Sequence, residues 1–176
     1  MKLLILDRDG VINEEREQYI LSANDWKAIP GSLEAISRAK NMGFYIVVIS
    51  NQSALGRGWM SMDDLNSINR LMQSELAKFG GKIDIFLFCP HPPEVNCDCR
   101  KPKVALLEKF KRRIGRDLGT VPFIGDRMSD IETAKLVGAH PILVRSGKPI
   151  GKVPANISVY ADLSEALHET IFKIDL

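Results

Sequence analysis

Runs of apolar residues separated by polar, helix-periodic stretches set the organisation of this chain. Leu3–Leu6, Phe44–Ile49, Ile83–Phe88, Val121–Ile124 and Pro141–Val144 are short and mostly apolar, without polar alternation, and this suits strands buried on both faces of a parallel sheet. Between them the spacing predicts helices. Pro30-Gly31-Ser32 reads as a turn with Ser32 as N-cap, and Leu33, Ile36 and Ala39 continue it to a stop at Gly43. Ser61, with Asp63 and Asp64 in the first turn, caps a second helix whose core face is Leu65, Ile68, Leu71, Met72, Leu76 and Phe79. Pro102 is expected to open a third, through Leu106, Leu107 and Phe110, with the cations Arg100, Lys101 and Lys103 at its entrance. Ile131, Ala134 and Val137 mark a fourth, and Leu163–Phe172 a last one that leaves Glu165, His168 and Glu169 to solvent. Val11–Trp26 has no sustained period and reads as a flap, and Arg145–Pro154, rich in Gly, Pro and Lys, as a loop.

Five strands alternating with helices imply an α/β fold, a doubly wound parallel sheet. In such sheets ligands bind beyond the carboxyl ends of the strands, and nearly every strand here runs into a polar cluster. The first is followed by Asp7-Arg8-Asp9-Gly10, the second by Ser50-Asn51-Gln52-Ser53, and the fourth by Gly125-Asp126-Arg127-Met128-Ser129-Asp130. Two carboxylates at i and i+2 repel each other in one small space, and Mg²⁺ relieves that. The same pair can divide the work on a phosphate ester, one acid attacking phosphorus and the other passing a proton to the leaving oxygen. With the Ser50 hydroxyl, the Lys101 cation and the acids Asp126 and Asp130, the clusters specify phosphoryl transfer.

The third strand leads instead to Cys89-Pro90-His91 and then Cys97-Asp98-Cys99. Four soft or borderline donors joined by a connector too small to bury a core of its own form the ligand set of a closed structural Zn²⁺ site. All three cysteines of the chain lie here, and an odd, tightly grouped set argues for metal and against disulfides.

The remaining composition narrows the classes. The 176 residues fit one domain, 1–176, with 45% hydrophobic and 26% charged residues. A net charge of +2, its lysines scattered among acids, makes no nucleic-acid footprint. No signal-like start or membrane-length apolar window is present, so a cytoplasmic protein with no membrane partner is expected, a monomer by default.

Asp7-Arg8-Asp9-Gly10, Ser50-Asn51-Gln52, Lys101 and Gly125-Asp126-Arg127-x-x-Asp130 together resemble the four motifs of the haloacid dehalogenase (HAD) superfamily. Cys89-Pro-His91 with Cys97-x-Cys99-Arg100-Lys101-Pro102 is similar to the subgroup that acts on D-glycero-D-manno-heptose 1,7-bisphosphate and on histidinol phosphate, whose members have no large cap domain. The resemblance implies Asp7 as nucleophile, Asp9 as general acid and then base, and Ser50 and Lys101 as stabilisers of the transferring phosphoryl group. Ser50 stands where threonine is frequent, and the hydroxyl is kept. The resemblance also implies Mg²⁺ on Asp7, Asp126 and the Asp9 backbone carbonyl. Substrate would meet Arg100, Asn51, Gln52, Ser53 and Arg127, with Asp130 orienting the site. The segments Ser50–Gly58 and Leu143–Pro149 resemble the heptose enzymes, so the expected reaction is loss of the sugar 7-phosphate, with Arg57, Arg100, Arg127 and Lys148 on the phosphate that stays. Histidinol phosphate is the alternative, favoured by the short connector between His91 and Cys97. A signalling receiver domain uses similar residues, but its phosphorylated aspartate follows the third strand, where this chain has Phe88-Cys89.

Overall fold

A computed structural model describes residues 2–173; Met1 and residues 174–176 of the expected 1–176 domain lie outside that span. Six parallel strands form one sheet: β1 (Lys2–Leu6), β2 (Phe44–Asn51), β3 (Ile85–Cys89), β4 (Pro122–Gly125), β5 (His140–Val144) and β6 (Ser158–Tyr160). Their order is β3-β2-β1-β4-β5-β6. This is the doubly wound arrangement, with its switch point between β1 and β4. The helices are α1 (Ser32–Asn41), α2 (Ser53–Gly56), α3 (Met62–Ala77), α4 (Ala105–Ile114), α5 (Met128–Leu136) and α6 (Leu163–Leu167).

The apolar strands work as their composition demands, because successive side chains point to opposite faces and both faces are covered. Leu4, Leu6, Ile46 and Val48 face α1, α3 and α6, in a layer with Ile36, Ile68, Met72 and Leu167. Leu3, Ile5, Val47 and Ile49 face the other way, onto Leu107 and Phe110 of α4 and Ala134 of α5. Each such fully buried side chain contributes roughly 1.5–3 kcal/mol of transfer free energy, and this holds the strand ends in fixed register around the switch point.

Several sequence expectations are corrected here. The third major helix starts at Ala105, with Val104 as N-cap, and not at Pro102; residues 100–103 form a turn through a cis Lys101–Pro102 peptide. Lys101 therefore leaves the helix entrance and is 4% exposed beneath the sheet's carboxyl edge. The cap of α1 is Gly31, whose φ of 80° suits glycine, while the Ser32 hydroxyl donates to the Ile12 carbonyl at 2.7 Å. Phe79 lies past the end of α3 and is 45% exposed, so it does not belong to that helix's core face. The expected last helix is α6 followed by a π turn, His168–Phe172. The sheet has six strands where five were expected, because the loop after β5 returns as β6. The expected flap is anchored at both ends, since Val11 and Ile12 are fully buried and Ile20 and Trp26 nearly so.

Among the described residues, no helix is long and apolar enough to cross a membrane.

Candidate active site

A cavity of about 330 Å³ opens over the β1/β4 switch point, within the range of small-molecule sites. Asp7, Asp9, Ser50, Asn51, Gln52, Ser53, Arg100, Lys101 and Arg127, all expected to catalyse or bind substrate, line it, as does Lys148, whereas Arg57, expected on the phosphate that stays, does not. They arrive from the ends of β1, β2 and β4 and from the segment before α4.

At the cavity floor Asp7 is nearly buried. Its Oδ1 accepts from the Arg8 amide at 2.7 Å and lies 2.9 Å from the Lys101 ammonium. Burial pushes the Asp7 carboxyl up to about 6, against the pull of Lys101. Lys101 is committed in three directions, to Asp7, to Asp130 Oδ1 at 2.7 Å and to the Ile49 carbonyl at 3.0 Å. Burial disfavours its charge, but Asp130 and Asp7 outweigh burial and hold the ammonium well above its ordinary range. It is a fixed, fully ionised cation beside Asp7.

Asp9 sits in a clasp that the sequence did not announce. Arg8 donates to both its oxygens at 2.9 Å, Asn13 Nδ2 to Oδ1 at 2.9 Å and Gln52 Nε2 to Oδ2 at 3.1 Å. Burial opposes ionisation, yet Arg8 and these amides keep the Asp9 carboxyl below its ordinary value. Gln52 also donates to Ser50 Oγ at 2.6 Å and accepts from Arg8 at 3.2 Å, tying the ends of β1 and β2 together. Asn51 turns its amide to the Lys101 backbone, accepting from its N–H at 3.0 Å and donating to its carbonyl at 3.2 Å. Gln52 and Asn51 thus hold the neighbours of the reacting groups as well as lining the cavity.

Asp126 is the anomaly that points to a cation. Its carboxylate is wholly buried and neither oxygen has a hydrogen-bond partner. Burial, with Asp7 and Asp130 nearby, pushes its carboxyl up to about 8. The Arg127 guanidinium stands 3.8 Å from Oδ2, beyond hydrogen-bond reach, and a buried carboxyl group without a hydrogen-bond donor is costly to ionise. Its carboxylate is seated against Gly10 and Gly147, where added Cβ atoms would stand 2.5 Å and 1.9 Å from Oδ2. Asp7, Asp126 and Asp130 bring one oxygen each within 4.8 Å of one another. Asp130 is already engaged by Lys101 and by the Arg127 amide at 3.0 Å, so Asp7 and Asp126 are the pair left for a hard divalent cation.

A second cluster lies beside the cavity. Cys89, His91, Cys97 and Cys99 also place their donor atoms within 4.8 Å of one another, with sulfur–sulfur separations of 3.2–3.5 Å. All three are free thiols at that spacing, and a Cys₃His set is the donor chemistry of tetrahedral Zn²⁺. The loop is fastened to the second strand end, where the Gln52 amide donates to the Cys89 carbonyl at 2.7 Å and the Gly56 amide to the Pro90 carbonyl at 2.9 Å.

The outer cations divide. Arg57 does not line the cavity; it pairs with Glu94 at 2.8 Å and lies over the Trp59 ring, 5.3 Å from its centroid. Arg100 does line it, braced by a 3.2 Å hydrogen bond to the His91 carbonyl. Arg127 and Lys148 line it too, both engaged by Glu15. Nothing in the sequence pattern singled out Glu15, Arg8 or Asn13. Only the interval from Asn13 to Asp9, one helical turn, hinted at a local contact.

The HAD-hydrolase-like family profile matches residues 98–163. The D-glycero-β-D-manno-heptose-1,7-bisphosphate 7-phosphatase of Pseudomonas aeruginosa is 39% identical over 92% of this chain and 93% of its own. That of Bordetella bronchiseptica is 38% identical over 97% and 98%. The crystal structure of the B. bronchiseptica D,D-heptose 1,7-bisphosphate phosphatase, complexed with magnesium and phosphate, superposes with a TM-score of 0.94 over 98% of this chain and 99% of that one, at 37% identity. The fold, the capless architecture and the convergent acids thus join near-full-length similarity, and the chain belongs to the D-glycero-β-D-manno-heptose-1,7-bisphosphate 7-phosphatase family of HAD-like hydrolases.

Proposed function

We propose that this protein is a phosphoric monoester hydrolase that removes the 7-phosphate of D-glycero-β-D-manno-heptose 1,7-bisphosphate through an aspartyl phosphate on Asp7, in heptose biosynthesis. The observation that carries this reading is the convergence on Asp7 of a fixed cation, Lys101, and an orphaned acid, Asp126. Asp7 Oδ1 is pinned by Lys101 and the Arg8 amide, which fixes the carboxylate for attack on phosphorus. The bond from an Asp7 oxygen to phosphorus forms as the bond from phosphorus to the sugar oxygen breaks, and the leaving oxygen takes a proton from Asp9. The Arg8, Asn13 and Gln52 clasp holds the Asp9 carboxyl below its ordinary value, and the negative charge of the arriving phosphate works against that shift, in the direction that loads the proton Asp9 has to give. Water then attacks phosphorus, Asp9 accepts its proton, and the Asp7 carboxylate leaves. Ser50 and Lys101 stabilise the equatorial phosphoryl oxygens.

Asp7, Asp126 and the Asp9 backbone carbonyl would hold Mg²⁺, which neutralises phosphoryl charge so that an anionic nucleophile can approach. Cys89, His91, Cys97 and Cys99 would hold Zn²⁺ in a closed site with no position for water. Thiols kept as metal ligands suit a reducing cytoplasm, and we take the working unit to be one domain acting as a monomer on a small sugar phosphate.

The test is kcat/KM for the heptose bisphosphate and for histidinol phosphate on one Mg²⁺-saturated preparation. The heptose compound is expected to win; a tenfold advantage for histidinol phosphate, about 1.4 kcal/mol of transition-state preference, overturns the assignment.

A further inference from the structure

Glu15 is a carboxylate facing a cavity meant for an anion. It comes from the segment between β1 and α1 and is only 11% exposed. It accepts a hydrogen bond from Arg127 Nη2, at the start of α5, and another at 3.1 Å from the amide of Lys148, in the loop after β5. The Lys148 ammonium lies 3.6 Å away. Three segments distant in sequence meet at this side chain, and all three residues line the cavity.

An acid in that place weakens anion binding by its charge, so its contribution must come through the cations it holds. Arg127 and Lys148 are 47% and 51% exposed, and each carries about 2 kcal/mol of rotamer entropy when untethered. Fixing a charged side chain beforehand removes that ordering cost from the binding step. The Arg127 guanidinium keeps donors beyond the one Glu15 takes. The cleaved phosphate has its own stabilisers, Ser50 and Lys101, at the cavity floor.

We propose that Glu15 is a positioning residue for substrate selectivity: it sets Arg127 and Lys148 as a clamp for a second phosphate, the one that is not cleaved. This rests on the bisphosphate reading above. The clamp recognises a dianionic phosphate ester through charge-assisted hydrogen bonds, and a sugar carrying only the scissile phosphate leaves it empty.

The experiment compares wild type, Glu15→Gln and Glu15→Asp on the heptose 1,7-bisphosphate and on the same heptose bearing only the 7-phosphate, with thermal midpoints recorded for each protein. Wild type is expected to prefer the bisphosphate. Glu15→Gln should lose that preference by roughly tenfold or more, mainly through KM for the bisphosphate, and Glu15→Asp, which keeps the charge, should recover part of it. In a cycle with Lys148→Met, the two losses should be less than additive, since both act on one clamp. A preference that survives intact in folded Glu15→Gln, or one that rises, overturns the inference alone. A wild type with no preference overturns the inference and the bisphosphate reading together. Should Glu15→Gln fail to fold, Glu15→Asp carries the same comparison: shortened by one methylene, it holds the cations less well and should lose part of the preference, and a preference it retains in full overturns the inference.

Discussion

At the scale of single residues, Asp126 illustrates how a carboxylate is prepared for a cation. Neither of its buried oxygens accepts a hydrogen bond, and burial with Asp7 and Asp130 nearby pushes its carboxyl up to about 8; a divalent cation, which must displace that proton to bind, would supply the positive charge the buried carboxylate lacks. Gly10 and Gly147 are glycine because any side chain there would occupy the carboxylate's own space. Gly147→Ala should therefore raise the Mg²⁺ concentration needed for half-maximal activity by about tenfold or more, measured by Mg²⁺ titration with an aryl phosphate. Gly151, with nothing within 4 Å of an added Cβ, supplies the control: Gly151→Ala should titrate like wild type. At the neighbouring position Asp7→Asn should keep the fold, since it relieves one of three crowded buried acids, and should lower turnover by roughly 10⁴-fold or more. Normal circular dichroism with near-normal turnover would refute Asp7 as nucleophile.

At the scale of elements, the molecule depends on contacts that fasten helix to strand. Asp84, just before β3, accepts from Lys40 of α1 at 2.8 and 2.6 Å and from the Ile46 amide of β2 at 2.8 Å. Burial opposes its ionisation, but Lys40 and the Ile46 amide prevail and hold its carboxyl below the ordinary 3.8. A depressed acid contributes stability that is fully present above its unfolded value and is lost as pH falls through the folded one. Asp84→Asn should thus cost about 1–3 kcal/mol at pH 7, some 2–4 °C per kcal/mol in Tm. The gap between variant and wild type should narrow steadily below about pH 4, as Asp84 protonates in both states. A constant gap from pH 7 to pH 3 would show that the ion pair is not its source. Elements of this kind explain what could be read beforehand. Leu3–Leu6 and Phe44–Ile49 signal strands because burial on both faces leaves no room for polar residues, and whatever polar cluster follows must lie at the sheet's edge. β6 escapes because Ser158–Tyr160 is three residues on an outer, part-exposed strand. The α4 start escapes because Pro102 is compatible with a helix entrance, whereas burial of Lys101 between two acids requires the turn to precede it. Glu15, and the tie that Gln52 makes beyond its expected place in the cavity, escape for a third reason: their partners Arg127 and Arg8 lie 112 and 44 residues away, and no local pattern encodes such a pairing.

At the scale of the whole molecule, the cysteine loop is the part with least to hold it. Between Pro90 and Arg100 no side chain is buried, so the loop has no hydrophobic core of its own, and a metal on its four donors would add to the few hydrogen bonds that tie it to the β2–α2 junction. It nevertheless delivers Arg100 and Lys101 to the cavity, with Arg100 braced on the His91 carbonyl and Lys101 on the Asn51 amide. Zinc at Cys89, His91, Cys97 and Cys99 would therefore act on catalysis at a distance, by keeping a cation beside Asp7. Purified without chelator, the protein should contain one Zn²⁺ per chain by elemental analysis. Stripping that metal, or making Cys97→Ser, should lower Tm and turnover together, with Mg²⁺ saturating throughout. Zn²⁺ should restore both to the stripped wild type and Mg²⁺ should restore neither, because a hard, octahedral ion is a poor match for three thiolates and an imidazole. If protein stripped of Zn²⁺ turns over as fast as before, with Lys101 still in place, the loop is held by its hydrogen bonds alone and the structural metal has no part in the reaction.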